Sequence, residues 1–85
     1  MRSTDEHTDE LRRLVSQKLI RARLKNNQTQ HHLAGVAGIS LRQYQYFESG
    51  DCAPNIDTLC RIASALRIHP SYVLPNKSEL KAIYG

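Results

Sequence analysis

Residues 29–50 read TQHHLAGVAGISLRQYQYFESG, and the fold turns on them. Thr29 is placed to cap a helix over Gln30–Val36 that buries Leu33 and Ala34, with Val36 or Ala37 beside them. Gly38 breaks that helix. Ser40 and Gln43 then supply a Ser-x-x-Gln capping box, and Ile39 with Tyr44 the flanking hydrophobic staple. The next helix, the third of the chain, runs Leu41–Glu48 and stops at Ser49-Gly50. Its buried stripe contains Tyr44 and Phe47, three residues apart.

Two short helices joined by a tight turn that holds a glycine are the outline of a helix-turn-helix. The flanking apolar residues also recur at helical spacing, without strand-like alternation. Upstream, a helix over Asp9–Asn26 takes Thr8 as its N-cap and carries Asp9 and Glu10 in its first turn. Leu11, Leu14, Val15, Leu19 and Ala22 form its buried stripe, and Asn27 is its left-handed terminator. Downstream, Asp51–Pro54 turns into a helix over Ile56–Leu66, with Ile56, Leu59, Ile62, Ala63 and Leu66 on one face. Pro70 opens a short helix to Leu74 and Pro75 ends it. Asn76–Tyr84 can add a last turn or two, with Asn76 as cap and Glu79 at the third position. The class is all-α. Residues 1–8 are expected to be a flexible acidic N-terminus, 9–74 the folded domain, and 75–85 a tail or short extra helix.

The 85 residues are 40% hydrophobic and 24% charged, a composition of soluble globular domains rather than of disordered chains. No apolar run approaches the roughly 18 residues of a membrane span. With no signal-peptide core behind the polar start, the expected location is cytoplasmic, with no membrane contact. Cys52 and Cys60 read as small, partly buried side chains, and His31 and His32 diverge on a helix. No metal and no cofactor is expected. No nucleophile-base arrangement or glycine-rich phosphate loop is present, so an enzyme is not expected. The net charge of +4 is unevenly spread: residues 1–10 carry −3, residues 11–47 carry +7 without a single carboxylate, and 48–85 balance. A long stretch of one sign is the footprint of an anionic partner.

Leu19–Leu74 resembles the Cro/C1-type (XRE-family) helix-turn-helix domain of bacterial and phage repressors. Arg23, Thr29-Gln30, Leu33-Ala34, Gly38-Ile39-Ser40, Tyr44, Phe47, Glu48 and Gly50 carry the likeness. Pro54, Leu59, Ala63, Leu66 and the Ile68–Leu74 segment complete it. The resemblance implies a compact five-helix, lambda-repressor-like bundle with a short C-terminal tail. It also implies a sequence-specific regulator of transcription, a repressor that binds a palindromic operator in double-stranded DNA as a homodimer, through the major groove.

With the third helix in that groove, Leu41, Arg42, Gln45 and Tyr46 become the base-contacting residues. Arg42 would fork to guanine, Gln45 pair with adenine, and Leu41 meet a thymine methyl. Phosphate contacts are expected at Gln30, Gln43, Ser49 and Asn55, although capping is the simpler use of Gln43. Arg23 and Glu48 match the family's largely buried ion pair. Two residues depart from the pattern: Gln28 stands where an apolar residue is usual, which loosens or wets the junction before the second helix, and His32 replaces a common Glu. A dimer surface could come from the long first helix, from the Pro70–Leu74 helix, or from Val73, Leu80, Ile83 and Tyr84. The alternative reading is an antitoxin or accessory regulator whose main partner is another protein, with the acidic N-terminus and apolar tail as its tools.

Overall fold

Polar caps set the helix starts. α2 (Gln30–Ala37) begins at Thr29, whose hydroxyl accepts the His32 N–H. α3 (Leu41–Ser49) begins at Ser40, which accepts from Gln43 N–H. α4 (Ile56–Leu66) begins at Asn55, which accepts from Thr58 N–H. Of the capping box read at Ser40 and Gln43, α3 shows the Ser40 half. The full reciprocal pair forms at α5 (Lys77–Tyr84), between Asn76 and Glu79. The helices end in the left-handed region, at Asn27 after α1 (Arg2–Lys25), Gly38 after α2, Gly50 after α3 and Arg67 after α4. At Gly38, where φ is 75°, the left-handed backbone calls for glycine, whereas the flexible Arg61 guanidinium nearby can give way to a Cβ.

The computed structural model describes residues 2–85, with side chains from Glu6 onward; Met1 lies outside the described residues. Within that range the chain is five α-helices and one 3-10 turn, with no strand. It differs from the sequence reading in four places. The segment 1–8, expected to be flexible, is helical from Arg2, so Thr8 lies inside α1 rather than at its cap. Packing gives the reason: α5 lies along this part of α1, with the His7 and Tyr84 rings edge to face at 4.9 Å. The helix expected over Pro70–Leu74 is instead a 3-10 turn over Pro70–Val73. Between Pro70 and Pro75 there is room for little more than one turn, and the Tyr72 N–H bonds three residues back to His69 O. Ile56, assigned to the buried face of α4, is 80% exposed. The buried arc of α4 centres on Ile62 and Leu66 and takes in Thr58, and at about 100° per residue Ile56 falls at its edge in the first turn. Cys60 is exposed, whereas Cys52 is half-buried against the core.

The core forms where α1, α2, α3, α4 and the 3-10 turn meet. Leu19, Leu33, Tyr44, Ile62 and Val73 are fully buried there, with Phe47, Leu59, Leu66, Ala34 and Ala37 around them. Each large apolar side chain so placed contributes about 1.5–3 kcal/mol relative to exposure. Because α3 buries one face in this core, its other face is the one presented outward.

Candidate nucleic-acid interface

α3 divides cleanly. Tyr44, Phe47 and Glu48 are buried, while Leu41, Arg42, Gln43, Gln45, Tyr46 and Ser49 are exposed. The four residues expected to read bases therefore share the outward side. Arg42 and Tyr46, one turn apart, are coupled: Arg42 Nε donates to Tyr46 Oη at 3.0 Å, and the guanidinium stands 5.7 Å from the ring centre. That contact holds two long side chains in one arrangement.

The inward side is fixed by Glu48. Arg23 grips its carboxylate with two bonds, Nε to Oε2 at 2.6 Å and Nη2 to Oε1 at 3.1 Å. Tyr44 Oη donates to Oε2 at 2.5 Å and Gln30 Nε2 to Oε1 at 2.8 Å. The side chains of Arg23 and Glu48 are only 14% and 5% exposed, so the ion pair expected between them is a buried one. Burial by itself would raise the Glu48 pKa. The hydrogen bonds from Arg23, Tyr44 and Gln30 outweigh it and hold the carboxyl below the ordinary glutamate value. Burial, reinforced by the adjacent carboxylate, pushes the Tyr44 phenol well above its usual range. The Arg23 guanidinium, bonded to Glu48, is held more firmly charged.

Two participants were not visible in the sequence. Ser16, buried on α1, donates to the Glu48 carbonyl at 2.5 Å. The Tyr44 hydroxyl turns what reads as a plain apolar-stripe residue into a ligand of Glu48. Ser16 and Arg23 lie on the same side of α1 as Leu19, and a small polar residue in that row was the available signal.

Gln30 links the buried cluster to the outward face, since its Oε1 accepts from Gln45 Nε2 at 3.3 Å. Its side chain is therefore engaged on both sides, at Glu48 and at Gln45. The α2 first turn holds no acidic residue, nor does that of α3. Gln43 is exposed near the start of α3. Asn55 uses Oδ1 to cap α4, which leaves its Nδ2 as a donor to the exterior. Ser49 differs: its hydroxyl bonds to Tyr46 O and to the Asp51 carboxylate at 2.9 Å, a negative neighbour for an anion contact. At the α1–α2 junction, Arg23 Nη1 caps the Gln28 carbonyl, and Gln28 Oε1 is buried without a protein partner.

Between Glu10 and Asp51 the one carboxylate is Glu48, buried and paired. Within α2 and α3 themselves no exposed side chain is negative, and the exposed carboxylate nearest in sequence is Asp51 at the exit of α3. Among the described residues no His, Cys, Asp and Glu group is arranged to hold a metal ion, and no helix is long and apolar enough to cross a membrane.

Comparison with known proteins places this geometry. The cryptic phage CTXphi transcriptional repressor RstR of Vibrio cholerae serotype O1 (strain ATCC 39315 / El Tor Inaba N16961) is 39% identical over 54 residues. The match covers 64% of this chain and 48% of the relative, so the chain spans about half the length of that protein. No solved structure matches the chain significantly. The model of the helix-turn-helix family matches residues 19–73, from the middle of α1 to the end of the 3-10 turn. The chain belongs to the helix-turn-helix family of the Cro/C1 type.

Proposed function

We propose that the chain is a DNA-binding regulator of transcription, a repressor that lays α3 in the major groove of a palindromic operator as a homodimer. The observation that carries this reading is the division of α3. Its inner side is locked by a buried charged cluster, and its outer side presents Leu41, Arg42, Gln45 and Tyr46 with no carboxylate among them. Similarity to a phage repressor supports it. In this reading Arg42 forks to guanine, Gln45 pairs with adenine, and Leu41 and Tyr46 cover the neighbouring base edges. The α2 N-terminus at Gln30 receives a backbone phosphate, helped by Gln43 and the free amide of Asn55. Ser49 joins them only by leaving Asp51.

The homodimer needs an apolar surface. Val73 is fully buried and so is not part of one, whereas Leu74, Leu80 and Tyr84 are 41%, 39% and 57% exposed. Twofold symmetry would set the two α3 helices about 34 Å apart.

The test is selection of the purified chain against a randomised duplex library at near-physiological salt. An inverted repeat with half-sites one helical turn apart is the expected product. Arg42→Ala should then lose about 1–3 kcal/mol at one base position of each half-site. A uniform loss over all sequences would make Arg42 a phosphate contact, and enrichment of no sequence would remove the operator reading.

A further inference from the structure

We propose that the groove between the C-terminal half of α1 and the end of α4 docks an acidic, aromatic-bearing segment of a partner protein. The groove has a volume of about 770 Å³, with Lys18, Arg21 and Lys25 on one wall and Arg67, Ile68 and Tyr72 on the other. Tyr72 is 71% exposed, a bare aromatic beside a row of cations. Aromatic and Arg side chains are the ones enriched in protein-recognition surfaces.

The groove faces away from α3. Ser16 and Arg23 point to α3 through their bonds to Glu48. Lys18 and Lys25 each lie two positions further along, about 200° around the helix. An occupant here would therefore leave α3 free to meet a duplex.

Charge selects the occupant. The chain already places one carboxylate at the end of this row, Glu79 Oε1, at 3.1 Å from Lys18 Nζ. Arg21, Lys25 and Arg67 form no ion pair among the described residues. Lys18, Arg21 and Lys25 recur at helical spacing over about 10 Å, a length matched by carboxylates on two turns of a facing helix. Ile68 and Tyr72 add an apolar side, which suits a polypeptide with an aromatic or aliphatic residue between its acids. The chain's own Asp9 and Glu10 are poor candidates, because each is already paired on α1, with Arg12 and Arg13.

The experiment selects a random peptide library on the full chain and repeats the selection on the charge-reversed variant Arg21→Glu/Lys25→Glu. Both residues are exposed, so the fold should survive, and circular dichroism checks that it does. The expected product is a set of peptides with acids at helical spacing around an aromatic. Their affinity should fall about tenfold or more in the variant and with added salt, while the duplex sequence selected and the sedimentation are unchanged and duplex affinity falls far less. Peptides without acids, no consensus at all, or equal binding to the variant would overturn the proposal. So would an equal loss of duplex binding, which would make the groove a nucleic-acid contact. A change of oligomeric state would make it a contact between copies of this chain and would also overturn it.

Discussion

The two ends of α1 hold their neighbours by different means. At its C-terminal half, Ser16 and Arg23 reach into α3 and bind one buried carboxylate that also takes bonds from Tyr44 and Gln30. From its N-terminal end to its middle, α5 rests on the surface. None of its residues is buried, and its ties are the Lys18–Glu79 bridge and the His7–Tyr84 ring contact. The first arrangement desolvates charge and therefore demands complete pairing. The second is less enclosed, with Glu79 at 29% exposure against 5% for Glu48, so losing a partner strands less. The helix that bears the candidate reading face is fixed by the demanding kind of contact, and the tail by the forgiving kind.

The comparison breaks most severely at Glu48. Glu48→Ala strands the Arg23 guanidinium and the Tyr44 and Gln30 donors, at an expected cost of about 3–5 kcal/mol. For a domain of this length that lowers the thermal midpoint by roughly 15 °C or more. A shift of a degree or two in a calorimetric scan would mean that the cluster is not the anchor of α3.

Acid gives a milder version. The folded pKa of Glu48 lies below its ordinary value, so the unfolded chain binds the proton first as pH falls. The stability from this group is complete above the ordinary glutamate range near 4.5 and is lost as pH drops through the lower folded value. Denaturant titrations across that window should show the loss in the wild type and a flatter profile in Glu48→Gln.

The smallest effect is expected at the tail. Amides of α5 should exchange with solvent long before those of α3, because no α5 residue is buried. A chain ending at Pro75 should keep the protection pattern of α3. Matching exchange rates in α3 and α5 would erase the contrast between the two ends.

Local chemistry explains what could be read in advance. Thr29, Ser40, Asn76, Gly38 and Gly50 each act within a few residues, so the helix ends follow from their immediate neighbours. Arg23 and Glu48 were legible through the resemblance. What stayed hidden depends on contacts distant in sequence: Ser16 meets Glu48 across 32 positions, and Gln30 meets Gln45 across 15. The helical start of α1 was hidden for the same reason, since α5 packs on it from the other end of the chain. Ile56 fits the apolar periodicity of α4, but periodicity does not say how wide the buried arc is, and Ile56 falls at its edge in the first turn.

Arg67 closes α4 with φ at 58°, a conformation in which a Cβ is crowded by the backbone. Glycine would relieve that crowding, as it does at Gly38 and Gly50. Arg67→Gly would thus exchange a positive charge at the lip of the α1–α4 groove for an easier backbone turn, so this one position couples the end of α4 to the charge of the groove.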